Sequence, residues 1–240
     1  MVNIPEFRLF ALHSAADREA DMLRMDVIVG RTYPEMRTPV FVGDLKYVVF
    51  RPYWDVPRSI VVKEILPAIQ RNPNYLDKNH FELVSGQRDD SPVMPNTPEN
   101  IAALRASHLR LRQQPGPDNP LGPVKFLLPN DYNVYLHGTP AQHYFSASQR
   151  TFSHGCIRVS DPLSLAEYVL HNASGDWTRD TIEAAMNGDL NQRVKLNQSI
   201  PVMILYGTAM ANEAGEVLFF NDIYSYDEKL EKLLGLAPTS

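Results

Sequence analysis

Cys156 is the only cysteine of the chain, and its neighbours supply the other ingredients of thiol chemistry. It stands in Ser153-His154-Gly155-Cys156-Ile157-Arg158-Val159, nineteen positions after His137 of Tyr135-Leu136-His137-Gly138-Thr139-Pro140. A thiolate is the strongest nucleophile among ordinary side chains, and an imidazole within about 3 Å of sulfur can take its proton. No acidic residue adjoins His137, so the backbone carbonyl of Gly138 is the group available to hold the second imidazole nitrogen and fix its tautomer. Gly155 has no Cβ, which lets the N–H groups of His154, Gly155 and Cys156 approach a carbonyl under attack as an oxyanion hole. In an extended chain Arg158 shares the face of Cys156, where its guanidinium can pair a substrate carboxylate bidentately.

Taken singly, each residue also has a structural explanation: a small buried thiol, a rim histidine, a turn glycine, a surface arginine. Their concentration at predicted strand ends favours Cys/His acyl transfer. Zinc is the competing reading, since His137, His143, His154 and Cys156 are ligand types. Structural zinc prefers ligand pairs two to four residues apart, and only His154-x-Cys156 comes near. Neither a metal nor a cofactor is expected, and no glycine-rich phosphate loop occurs.

Elements that must position these groups can be read along the chain. Phe7–Leu12, Met25–Val29 and Leu45–Phe50 read as strands, with a polar turn from His13 to Asp21. From about Pro52 the pattern changes. Ser59–Gln70 has helical spacing that Pro67 should kink or shorten, Phe81–Val84 a short strand, and Glu99–Ala106 a short helix. Residues 52–112 are therefore expected to form an inserted capping subdomain able to act as a lid. Val124–Leu128 and Asn133–Leu136 read as strands, the second running into His137. Asp161-Pro162 starts a helix as cap and first residue, and Thr181–Met186 is another. Val202–Tyr206 and Val217–Phe220 read as a hairpin closed through Asn212–Gly215, and Asp227–Leu234 as a terminal helix before Gly235. The fold class is mainly β with α/β additions, one catalytic domain over 1–240 with 52–112 inserted.

Composition limits the alternatives. The 240 residues are 44% hydrophobic and 21% charged, which is globular material rather than disorder. A net charge of -5 without a basic block argues against a nucleic-acid partner. No run approaches the ~18 apolar residues of a membrane span. Met1 leads directly into a strand-like segment with no signal peptide, so an export signal trimmed from this chain is expected.

The Ser153–Arg158 block with His137 upstream resembles the signature of the L,D-transpeptidase catalytic domain. Asn3–Leu9, Arg51–Pro57, Gln114–Pro117, Val134–Pro140 and Arg150–Val159 are similar to its large Gram-negative periplasmic branch. The resemblance implies a β-sandwich core with a capping insertion, periplasmic location, and peptidoglycan stem peptides as partners. It implies Cys156 as nucleophile, His137 as base, and attack on the diaminopimelate–D-Ala bond of a tetrapeptide to give a 3→3 cross-link. Acylation by carbapenems follows by analogy. Tyr135, Trp54, Ser153 and Arg158 would contact substrate, and His154 would support the oxyanion hole or thiolate. Two departures stand out: many members have Asn where Arg158 stands, and this branch commonly has Asp where Gly138 stands. A hydrolase acting on the same peptides and a non-catalytic wall-binding protein remain the alternatives.

Overall fold

The computed structural model describes residues 1–12, 22–88, 90–212 and 214–236. The expected turn from His13 to Asp21 lies outside them. Four strands open the chain: β1 (Val2–Asn3), β2 (Arg8–Ala11), β3 (Leu23–Gly30) and β4 (Phe41–Phe50). A separate group follows: β5 (Trp54–Asp55), β6 (Phe81–Val84), β7 (Val93–Met94) and β8 (Arg110–Gln113). The main sheet resumes with β9 (Val124–Leu127), β10 (Leu136–His137), β11 (Thr151–Ser153), β12 (Ile157–Val159) and β13 (Gln192–Leu205). A small hairpin of β14 (Ala209–Ala211) and β15 (Val217–Phe219) comes last.

The main sheet runs β11-β3-β12-β10-β9-β4-β13-β1-β2, and β2 pairs back onto β3. The sheet thereby curls and closes on itself, so alternate residues point into one shared core. Val27, Val48, Phe50, Val124, Phe126, Ile157 and Val159 are fully buried there. The helix Pro162–Leu170 adds Leu165, Ala166, Val169 and Leu170 to the same core. It begins as the sequence reads: the Asp161 carboxylate accepts from Ser164 N–H at 3.0 Å, with proline in the first turn. The architecture is mainly β with helical additions.

Between β4 and β9 the chain builds a four-stranded sheet in the order β5-β8-β6-β7, with its own apolar cluster around Ile60, Ile65, Leu76, Leu83, Leu104 and Leu111. Its first helical run is not uniform: Arg58–Ile60 and Leu66–Arg71 are α-helical, and Val61–Ile65 between them is a π-turn. Pro67 has no N–H to return to the preceding turn, and the widened turn lies immediately upstream of it. The expected kink therefore takes the form of a bulge.

One expected pairing is different. Val202–Leu205 is not the arm of a hairpin with Val217–Phe220 but the end of β13, which pairs with β4 on one side and β1 on the other. Val202 and Ile204 face the core, whereas Val217, Leu218 and Phe219 are all exposed and offer no core face to match. β15 instead pairs antiparallel with β14 in a separate short hairpin. The predicted strand Asn133–Leu136 is also shorter, because Asn133 has a φ of 55° and the Asn130 side chain accepts from both Tyr132 and Val134 N–H groups.

Candidate active site

Two parallel strands set the site. β10 and β12 pair with Leu136 opposite Ile157 and His137 opposite Arg158. The ladder extends one step before each strand, where Ile157 N–H donates to Tyr135 C=O at 3.0 Å. Leu136 and Ile157 point inward, so Tyr135, His137, Cys156 and Arg158 share the outer face. Cys156 lies opposite Tyr135, and His137 is its diagonal neighbour on the adjacent strand. On the other side of β10, Lys125 of β9 lies opposite His137, and its Nζ is 4.0 Å from the centre of the Tyr135 ring.

His137 is 4% exposed, and its Nδ1 is 2.5 Å from the Gly138 carbonyl oxygen. A carbonyl only accepts, so Nδ1 carries the proton and Nε2 keeps the lone pair. Burial first, then the Arg158 charge, lowers the imidazole from its ordinary 6.5 to about 3. His137 is therefore neutral at rest. A Cβ at Gly138 would lie 3.2 Å from Pro123 Cδ and 3.4 Å from Pro162 Cγ. Close packing of those two prolines thus favours glycine here, and the backbone carbonyl is the group that orients the imidazole.

Cys156 is partly accessible, and burial raises its thiol. Tyr135 opposes that rise through its backbone N–H and its hydroxyl, followed by the charges of Lys125 and Arg158. The thiol itself points towards the Asn133 carbonyl, 3.7 Å away. Resting chemistry is consequently a neutral thiol and a neutral imidazole in an electropositive surround that favours a thiolate as it forms. Arg158 has a buried Nε without a protein partner, and burial lowers the guanidinium.

The loop between β11 and β12 is shaped by Ser153, whose expected place was the substrate cleft. Instead it is 2% exposed, donates to Cys156 C=O at 2.5 Å, and accepts from Gly155 N–H at 3.1 Å. Its hydroxyl folds the loop. The same bond occupies the Gly155 N–H, so an oxyanion hole in this arrangement draws on the N–H groups of His154 and Cys156 rather than on all three. Gly155 adopts a φ of 117°, which only glycine takes without strain.

His154 pairs with the inserted unit. Its Nε2 is 2.9 Å from Oε1 of Glu64, on the π-turn of the inserted unit. Trp54, also from that unit, packs against its cluster and lies near enough to the Tyr135 side chain to oppose the rise of its hydroxyl pKa. The inserted unit thus reaches the site through two side-chain tips. His143 contacts the Tyr144 ring, and among the described residues no three His, Cys, Asp or Glu side chains converge as a metal site.

Several supporting residues have no sequence signal. Thr38 Oγ1 donates to Gly155 C=O at 2.8 Å and accepts from Gly30 N–H at 2.8 Å. Thr38 N–H donates to Tyr224 Oη at 3.2 Å, and that hydroxyl donates to Gly30 C=O at 2.6 Å. Lys125 and Glu64 were also missed. Lys125 did carry a signal: it is the polar step among Val124, Phe126 and Leu128, which marks the outer face of its strand.

With this geometry in hand, comparison with known proteins is informative. Residues 1–194 match the L,D-transpeptidase catalytic domain family (YkuD). The chain belongs to that family. It is also 30% identical over 230 residues to a Haemophilus influenzae protein named "Putative L,D-transpeptidase", an alignment that covers 95% of this chain. The chain spans 44% of the length of that relative.

Proposed function

We propose that this chain cross-links peptidoglycan stem peptides as an L,D-transpeptidase with Cys156 as nucleophile. The observation that carries the reading is the shared outer face of Tyr135, His137, Cys156 and Arg158, with the base held by the Gly138 carbonyl. Cys156 sulfur attacks the carbonyl between diaminopimelate and terminal D-Ala, while His137 Nε2 takes the thiol proton. The oxyanion is met by backbone N–H groups of the 154–156 loop. The C–N bond breaks, D-Ala leaves with the proton from His137, and a thioester remains. The side-chain amine of a second stem's diaminopimelate loses a proton to His137, attacks the thioester, and restores the thiol. Arg158 and Lys125 supply positive charge for stem carboxylates. A low imidazole pKa keeps His137 unprotonated before attack, and the positive surround stabilises sulfur as charge develops.

Carbapenems present a carbonyl to the same sulfur and are expected to acylate it. Stem peptides place the enzyme outside the cytoplasm, in the periplasm; no helix among the described residues is long and apolar enough to cross a membrane. The inserted unit is assigned the role of a cap over the donor cleft. Incubation with disaccharide-tetrapeptide followed by mass spectrometry tests the reading. Dimers lacking one D-Ala support transfer, tripeptide alone shows a carboxypeptidase, and unchanged substrate overturns the assignment.

A further inference from the structure

The outer face that carries His137 and Cys156 continues across the sheet. His137 lies opposite Lys125, Lys125 opposite Val49, and Val49 opposite Arg193. One row nearer the nucleophile, Tyr47 lies opposite Lys195. The partners on the inner face, among them Val48, Phe50, Val124, Phe126 and Val194, are buried in the core, which fixes the cations outward. Two of the cations stand over aromatic faces: Lys125 Nζ is 4.0 Å from the Tyr135 ring centre, and Arg193 Cζ is 3.8 Å from that of Tyr47. Arg193 and Lys195 are exposed.

Strands in a sheet are about 4.8 Å apart, so, counted from the Cys156 strand one step beyond His137, Lys125 lies roughly 10 Å and Arg193 roughly 19 Å across the sheet. The Arg193 guanidinium leans over Tyr47, one strand nearer the site, so about 14 Å remain, which about four residues of an extended peptide at about 3.3 Å each cover. The aromatic rings hold these two cations against the sheet and lower the entropy lost when an anion is paired.

We propose that this row, from Lys125 to Arg193 and Lys195, is a binding track for an extended acidic peptide whose carboxylates pair with the cations while its far end lies at Cys156. It rests on the transpeptidase reading for the identity of the peptide, and it assigns Arg193 and Lys195 as specificity residues remote from the reacting atoms. The track explains why a chain of net charge -5 displays its cations in register beside the nucleophile.

The test compares the parent chain with Arg193→Glu/Lys195→Glu, Arg193→Ala/Lys195→Ala and the conservative Arg193→Lys/Lys195→Arg. Three readouts are used: KM and kcat for disaccharide-tetrapeptide at low and high ionic strength, alkylation of Cys156 by neutral iodoacetamide, and equilibrium binding of the tetrapeptide on a Cys156→Ala background. The track requires KM to rise roughly tenfold with charge reversal and less with alanine, with loss of its salt sensitivity. It also requires unchanged kcat and alkylation, and recovery in the conservative pair. A charge-reversed chain that keeps the parent's KM and salt response overturns it. If no chain turns the peptide over, binding decides. Salt-sensitive binding weakened by reversal keeps the track and removes the transpeptidase reading, whereas binding indifferent to reversal removes the track.

Discussion

The curled main sheet and the inserted four-stranded unit meet the same site by different means. From the main sheet come Tyr135, His137, Cys156 and Arg158, placed by backbone register on paired strands over a core that is fully buried at Val124, Phe126, Ile157 and Val159. The inserted unit has its own apolar cluster and touches the site through the Trp54 and Glu64 side chains. Register cannot shift by one residue without turning every side chain to the other face. A side-chain contact can break and re-form with a rotamer change. The difference teaches that the candidate catalytic groups reside where position is set by the backbone, and adjustable contacts reside on the insertion.

That contrast can be broken most directly at the proposed nucleophile. Cys156→Ala should abolish thioester formation, and intact mass after meropenem should show the adduct on the parent alone; equal labelling of the variant would remove Cys156 from its role. His137→Ala should lower the acylation rate on the order of 10² or more, through lost proton transfer. Stopped-flow acylation close to the parent's rate would exclude it as base.

The buried base also gives a stability test. Its folded pKa of about 3 lies below the ordinary 6.5, so between these values the unfolded chain binds a proton that the folded chain does not. The stabilisation is fully present above about pH 6.5 and is lost as pH falls towards 3, on the order of a few kcal/mol in all. Denaturant titrations from neutral to acidic pH should therefore show a steeper decline for the parent than for His137→Gln. Parallel curves would mean that the imidazole is not held neutral by the fold.

The smallest effects are expected from the inserted unit. Trp54→Phe removes an N–H near the Tyr135 side chain, and Glu64→Gln replaces the carboxylate facing His154 with an amide that can still accept. Rate losses of a few-fold, about 1 kcal/mol each, are expected in the tetrapeptide assay. Should either match His137→Ala, the division between the two regions would fail.

Much of the site was legible because its signals are local. A single cysteine, an upstream histidine and the glycine beside each need no tertiary information, and Asp161-Pro162 announces its helix by its own capping chemistry. Ser153 was legible as part of the motif but not in its role, since its hydroxyl is used within the loop it helps to form. Glu64 and Thr38 were illegible: each meets the catalytic loop across a long sequence separation, 90 residues for Glu64 and 117 for Thr38. The partner of Val202–Leu205 was missed for a related reason. A strand's own alternation reveals which residues face inward, but not which neighbour completes its hydrogen bonds.

Tyr224 draws a final consequence from the fold. Its hydroxyl joins Gly30 and Thr38, and Thr38 in turn grips the loop that carries Cys156. This tyrosine lies thirty residues past the last position of the family match, which ends at 194, and β13 itself runs on to Leu205. The mechanical boundary of the catalytic unit is therefore later than its recognisable signature. A chain cut at 194 would retain every proposed catalytic side chain and lose the buttress behind them.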